Sequence, residues 1–149
     1  MPLKIQLKKG QKVIINGAVL ENATSRTASL LVINDAAIMR DSDILTPEEA
    51  TTPASRIYYS LQCLYLFPEK EKSYLPRFYE FISSYLKAAP SSQSIMDKLR
   101  KLVDNGELYQ ALRLGQKLIA HEREVLSHVQ EKLDEELRDA APGGKSPGG

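Results

Sequence analysis

Residues 3–45 read LKIQLKKGQKVIINGAVLENATSRTASLLVINDAAIMRDSDIL, and this stretch decides the fold class of the chain. It is basic and rich in β-branched residues, and turn-forming residues interrupt it. At its start Leu3, Ile5 and Leu7 alternate with polar residues, which predicts a half-buried β-strand. Residues after 45 read almost entirely as helix. The sequence therefore predicts an α+β protein in which a small antiparallel β module, residues 1–45, precedes a helical body.

Four further strands are expected within the module. Lys9-Gly10 ends the first strand, and Asn16-Gly17 predicts a tight hairpin because both residues tolerate positive φ. The most continuously apolar segment, residues 27–33 (TASLLVI), is predicted to be a central strand. Two shorter strands are predicted before it, over residues 13–16 and 18–21, and one after it, over residues 37–40. Five short strands favour a small barrel or sandwich.

Four to five helices are predicted in the helical body, residues 46–137. The residues TPEE at 46–49 have the form of a capped helix start, and Thr52-Pro53 repeats the Thr-Pro signal. A third helix should begin near Ser73, with Pro76 in its first turn. Two more are expected over residues 92–103 and from 107 to about 137. Residues 138–149, which end in APGGKSPGG, are predicted to be a disordered tail.

Charge is unevenly distributed along the chain. Residues 1–40 hold six basic and two acidic side chains, a net charge of +4, whereas the whole chain carries +1. A basic module beside a mildly acidic body suits a polyanionic partner, although a soluble domain with uneven surface charge would look the same. All ten aromatic residues lie between Tyr58 and Tyr109. If the β module binds RNA, it must therefore use charge and hydrogen bonds in place of aromatic stacking.

Several classes of protein are disfavoured by composition. The single cysteine, Cys63, lies in an apolar helical run and is expected to be a small core residue without a disulfide. No segment has the length and apolarity of a membrane span, and no signal core is present, so a cytoplasmic protein is expected. No nucleophile–base constellation stands out. His121 and His128 are seven residues apart and do not complete a zinc-binding motif. We expect neither catalysis nor a cofactor.

Three segments together resemble the FlbT family of flagellar regulators. They are LKKGQKVIINGAVLEN, DILTPEEATTPASRIYYSLQCLYL and GELYQALRLGQKLIAHE, and the resemblance covers about residues 1–125. The family implies a post-transcriptional regulator that acts on the 5′ untranslated region of flagellin mRNA, repressing translation and promoting decay. It also implies a small helical protein, FlaF, as the opposing or cooperating partner. In some family members the effect on flagellin is positive.

The β module alone is also similar to the carbon storage regulator family of RNA-binding proteins. LKIQLKKGQKVII resembles the start of that family, and AIMRDSDI resembles its fifth-strand segment. Arg40 stands where that family has an arginine that contacts RNA. The resemblance implies the same role for Arg40.

Two functions are compatible with these observations. In the first, the chain regulates flagellin mRNA by binding it, and the predicted RNA-binding residues are Arg40, Lys4, Lys8, Lys9 and Arg26, with arginines reading bases and lysines holding phosphates. In the second, the chain is a helical adaptor or chaperone for FlaF or flagellin, and its effect on mRNA is indirect. The aromatic-rich residues 58–85 would then form a protein interface. The small module, with its exposed first strand, predicts a homodimer.

Overall fold

A computed structural model describes residues 2–140 of the chain. Its first part contains the five antiparallel strands β1 (Leu3–Leu7), β2 (Lys12–Ile15), β3 (Ala18–Glu21), β4 (Ala28–Val32) and β5 (Ile38–Arg40). β1 and β4 form a two-stranded ribbon, and the other three strands form a sheet in the order β3-β2-β5. The hairpin between β2 and β3 turns at Asn16 and Gly17, with φ of 50° and 84°, as the Asn-Gly pair predicts.

The three-stranded sheet lies between the ribbon and the helices. Because directly opposed residues share a sheet face, Ile14 and its partner Met39 lie on one face and Val13 on the other. Met39 is buried in the main helical core, and Ile14 packs against the same core. Val13 is fully buried in a second, smaller core with Ile5 and Leu7 of β1. The module therefore adheres to the helices through one sheet face and closes its own small core with the other.

The position of β4 corrects the prediction from sequence. Its apolar run was expected to make it central, yet it pairs with β1 alone and its three middle residues are exposed. Leu31 is 61% exposed, and Ile33, just after the strand, is 70% exposed. A continuous apolar run indicates burial on both faces only when another layer covers each face. Within one chain no described element covers the outer face of β4.

Four α-helices follow the β module in the described chain, with short 3₁₀ turns between them. They are α1 (Pro53–Leu66), α2 (Glu71–Ala88), α3 (Gln93–Asp104) and α4 (Leu108–Ala140). Thr46 and Glu49 form the predicted capping box, but the segment that follows is a single 3₁₀ turn, Pro47–Glu49, and not an α-helix. The α+β class, with a five-stranded module followed by helices, is confirmed.

Two boundaries of the helical body differ from the prediction. α2 begins before Ser73, so Pro76 lies inside the helix and not in its first turn. Proline removes the backbone donor that the Lys72 carbonyl would use, and both residues are exposed, so water can satisfy that carbonyl. α4 continues to Ala140, past the predicted end near residue 137. The remainder of the predicted tail, residues 141–149, lies outside the described residues.

The helical core forms around α1, which has ten buried residues and packs against both α2 and α4. Cys63 is 4% exposed within this core, and burial raises the pKa of its thiol, so the core-residue prediction is confirmed. Within residues 2–140 no helix combines the length and apolarity that crossing a bilayer requires.

Candidate nucleic-acid interface

A buried asparagine organises one end of the β module. The Asn22 side chain is 6% exposed and donates from Nδ2 to the carbonyls of Leu7, at 2.9 Å, and Arg26, at 2.7 Å. Its Oδ1 accepts from the backbone N–H and the hydroxyl of Thr24, at 3.0 and 2.7 Å. One side chain therefore fixes the end of β1, the end of β3 and the loop that leads to β4.

Two of the predicted lysines lie in the turn beside Asn22. Lys8 and Lys9 precede Gly10, which adopts φ of 75° and donates its N–H to the Asn22 carbonyl at 3.0 Å. Gln11 closes the turn, because its side-chain oxygen accepts from the Lys8 N–H at 2.8 Å. The turn is thus held by hydrogen bonds at both ends while its two ammonium groups face solvent. This arrangement holds two cations on a defined backbone.

The two arginines reach the same end from other directions. Arg26 is exposed in the loop that Asn22 holds by its carbonyl. Arg40 is the last residue of β5 and is paired with Val13, near the start of β2. Just before it, Met39 is buried and the Ile38 N–H donates to the Tyr65 hydroxyl of α1 at 3.0 Å. The backbone that carries Arg40 is therefore anchored, which limits the entropy lost when the guanidinium binds a ligand.

The structure brings four of the five predicted residues to one end of the module. These are Lys8, Lys9, Arg26 and Arg40, and we call them, together with Lys12, the basic end. Lys4 is separate, because it pairs with Leu31 at the other end of the ribbon, about 13 Å from Lys8 along the strand. The structure does not place Lys4 in the same cluster.

Two residues of this site were missed by reasoning from the sequence. Lys12 begins β2 opposite Glu21, on the sheet face opposite to that of its neighbour Val13 and hence of Arg40. Its position directly after a turn was a usable signal, since it adjoins Lys8 and Lys9 in sequence. Asn22 lies in the polar segment NATSR between two predicted strands, where a loop residue is expected to be exposed. Its buried role depends on the pairing of β1 with β4, which local patterns do not reveal.

The helical body has an apolar depression away from the basic end. A cavity of about 310 Å³ lies between the start of α2 and the junction of α3 with α4. Its lining includes Leu75, Tyr79, Val103 and Leu108. Tyr79 is fixed there by donating its hydroxyl to the Asp104 carboxylate at 2.6 Å, and this bond raises the pKa of Tyr79. A half-buried aromatic ring beside leucines is typical of a protein-docking surface.

Within residues 2–140, no group of three or more His, Cys, Asp or Glu side chains has an arrangement that could hold a metal ion. The features at hand are thus a basic end on an aromatic-free module and an apolar depression on the helices. These two surfaces are separate and differ in chemistry.

Comparison with known proteins places the chain in a family. The family profile described as "Flagellar protein FlbT" matches residues 3–126, so the chain belongs to the FlbT family. It is 38% identical over 130 residues to the "Probable flagellum biosynthesis repressor protein FlbT" of Rhodopseudomonas palustris (strain TIE-1), covering 85% of this chain and 99% of the relative.

Two other relatives are similar over comparable lengths. The "Flagellum biosynthesis repressor protein FlbT" of Caulobacter vibrioides (strain ATCC 19089 / CIP 103742 / CB 15) is 35% identical over 131 residues, 87% of this chain and 92% of the relative. The "Probable flagellum biosynthesis repressor protein FlbT 1" of Bradyrhizobium diazoefficiens is 34% identical over 125 residues, 84% of this chain and 85% of the relative. No solved structure matches the chain.

Proposed function

We propose that this chain is a cytoplasmic, post-transcriptional repressor of flagellin synthesis. In this proposal it binds the 5′ untranslated region of flagellin mRNA, represses translation and promotes decay of the message. Membership of the FlbT family supports a flagellar role, and the relatives named above are called flagellum biosynthesis repressors. The observation that carries the RNA-binding part is the basic end, where one buried asparagine holds strand ends and loops that bear cationic side chains.

The lysines and the arginines of the basic end are suited to different contacts with RNA. Lys8, Lys9 and Lys12 are point charges suited to phosphates, and each phosphate contact releases counterions, so binding should weaken steeply with salt. Arg26 and Arg40 have the planar fork that reads a base edge. Arg40 is on the better-anchored backbone, and we assign it the base contact. A chain bound to the leader in this way would obstruct access of the ribosome to the message.

Filter binding of labelled leader RNA to the purified chain tests this assignment at two salt concentrations. Arg40→Ala should weaken binding by about 1–3 kcal/mol at both concentrations if the arginine makes a bidentate base contact. Lys8→Ala should cost less and should reduce the salt slope by about 1. Lys98→Ala, at an exposed lysine of α3, is the matched control and should bind like wild type. Lys4→Ala should have a smaller effect than Lys8→Ala.

A folded Arg40→Ala protein, checked by circular dichroism, that binds the leader like wild type would remove Arg40 from the site. That result would favour an Arg40 that only pairs with Asp41 or Asp43 in the following turn. Failure of every basic-end variant to change binding would place the RNA site elsewhere.

We further propose that a FlaF-type helical protein docks on the helical body at the apolar depression. The depression presents aliphatic and aromatic surface, which helix-in-groove recognition requires. In a pull-down of purified FlaF by the full chain, Leu75→Lys should abolish retention, whereas Leu31→Ser on the ribbon should leave it intact. Loss with Leu31→Ser alone would assign the partner to the β module.

The alternative function is that of an adaptor or chaperone for FlaF or flagellin, with an indirect effect on the mRNA. The depression on the helical body is the observation in its favour. The same purified components separate the two functions. If the chain retains FlaF or flagellin but does not retain leader RNA, the adaptor function is established and direct repression is refuted.

A further inference from the structure

The last part of α4, over residues 123–139, has no buried side chain. Every side chain of residues 123–139 is exposed, and we call this segment the arm. Leu118 is the last fully buried residue of the helix, and the arm extends about 24 Å as regular helix. Isolated helical segments of this length are marginal in water, so an uncovered arm is expected to gain stability from a partner.

The arm carries an apolar stripe that is suited to packing. Five aliphatic residues recur at spacings of three and four, which places them on one helix face: Val125, Leu126, Val129, Leu133 and Leu137. Each of them is between 45% and 65% exposed. Glu136 lies on the same face, three residues beyond Leu133. The family match ends at residue 126, so three of these five residues lie beyond the matched segment.

The outer face of the β1–β4 ribbon has complementary chemistry. Leu31 and Ile33 are aliphatic, exposed and two residues apart, so they point to the same side. Lys4 is directly opposite Leu31 and shares that face. The face is thus an aliphatic pair beside a cation, whereas the arm is an aliphatic stripe beside a carboxylate. The arm as a whole is also negative, with six carboxylates against three basic side chains, which favours a partner face that carries a cation.

We propose that the arm of one chain packs on the outer face of the β1–β4 ribbon of a second copy. The two contacts are reciprocal, which gives a closed dimer with two-fold symmetry and doubles the buried area. The arm does not cover its own ribbon, because α4 is a continuous helix and both surfaces are exposed within one chain. Pairing of two arms is disfavoured, since it brings together two segments of net negative charge with Glu136 at the seam.

This arrangement accounts for the exposed aliphatic run in β4 and gives Lys4 a role apart from the basic end. Lys4 would pair with Glu136 of the other copy. The proposal does not depend on RNA binding, because the basic end lies at the opposite end of the ribbon. A chain that dimerises without binding RNA would refute the proposed function and leave the dimer intact.

Analytical ultracentrifugation of the full chain at tens of micromolar tests the assembly. Wild type should sediment as a dimer, and Val129→Gln with Leu133→Gln should raise the dissociation constant about tenfold or more. Lys4→Glu and Glu136→Lys should each weaken the dimer, and the two together in one chain should restore it. Glu131→Lys makes the same charge change on the opposite helix face and is the matched control.

Disulfide trapping distinguishes the partner surfaces directly. The native Cys63 is buried, so introduced thiols report on the surface. When a Leu31→Cys chain is mixed with a Leu133→Cys chain under oxidation, cross-linked heterodimers should form in excess over either homodimer. Predominance of Leu133→Cys homodimers would instead establish arm-to-arm pairing and overturn the proposal. A chain that remains monomeric at this concentration, or a charge pair that does not restore the dimer, would overturn it as well.

Discussion

At the residue scale, the basic end depends on Asn22 more than on any of its charged residues. The charged side chains are exposed, whereas Asn22 donates to two backbone carbonyls that lie far apart in sequence. A buried acceptor that loses a donor keeps its desolvation penalty. One neutral side chain therefore holds the segments that carry most of the basic end in place.

Asn22→Ala should lower the free energy of unfolding by about 1–3 kcal/mol, because it leaves the Leu7 and Arg26 carbonyls without this donor. Urea denaturation followed by circular dichroism measures the change. Asn34→Ala, at an exposed turn residue, is the matched control and should stay within about 0.5 kcal/mol of wild type. Equal stability of the two variants would mean that water replaces the Asn22 donor.

Tyr58 gives the folded state a predictable response to alkaline pH. Its hydroxyl donates to the Asp43 carbonyl and accepts from Gln116, and burial raises its pKa above the ordinary value of 10.0. The unfolded chain therefore releases the Tyr58 proton at lower pH than the folded chain does. This contribution to stability is complete below pH 10 and is lost as the pH rises through the folded value.

Tyr58→Phe should cost about 0.5–1.5 kcal/mol at neutral pH through the lost hydrogen bonds. It should also make the decline in unfolding free energy above pH 10 shallower than in wild type. Urea midpoints measured from pH 7 to 11 test both effects. Tyr109→Phe, at a tyrosine that is 55% exposed, is the control. An unchanged alkaline slope in Tyr58→Phe would assign the decline to other groups.

At the scale of elements, α1 and α4 approach closely because of a glycine. A Cβ at Gly115 would lie 3.1 Å from Cδ1 of Tyr58 and 3.4 Å from Cδ1 of Leu61. Gly115→Val should therefore destabilise the protein by about 1–3 kcal/mol through overpacking. Ser127→Val introduces the same side chain on the exposed arm and should change stability by less than about 0.5 kcal/mol. Thermal denaturation of both variants provides the comparison.

Local patterns predicted which segments form strands and helices. They did not predict which strands pair or which faces are covered. Alternation in β1, the Asn16-Gly17 turn and the Thr52-Pro53 start each act over a few residues, and all three appear in the structure. The exposure of β4 depends on which strand pairs with it and on what covers its outer face. The grouping of Arg40 with Lys8 depends on the pairing of β2 with β5, a contact distant in sequence. The basic residues could therefore be named from the sequence, but Lys4 could not be separated from them.

At the scale of the whole molecule, the β module and the helical body share a core. Met39 of β5 is 4% exposed and belongs to the same cluster as the buried residues of α1, and Ile44 and Leu45 of the connecting segment pack against that cluster. The Gln62 side chain of α1 also makes two hydrogen bonds of 2.8 Å with Leu45: its Oε1 accepts from the Leu45 N–H, and its Nε2 donates to the Leu45 carbonyl. Among the described residues, the module's own core has three buried members, Ile5, Leu7 and Val13. Such a core is too small to hold the module together alone.

The two parts should consequently unfold in a single transition. All seven tyrosines lie in the helical body, so tyrosine fluorescence reports its unfolding, while backbone amide resonances of β1 and β2 report on the module. The two urea curves should coincide, because losing the module exposes Met39 and Ile14 and removes one wall of the main core. Met39→Ala should lower both midpoints together, with a cost of about 2–5 kcal/mol. Val19→Ala, at a residue of β3 that is 63% exposed, is the matched control and should leave both midpoints near those of wild type. Module amides that melt before the tyrosine signal would show that the smaller core unfolds independently.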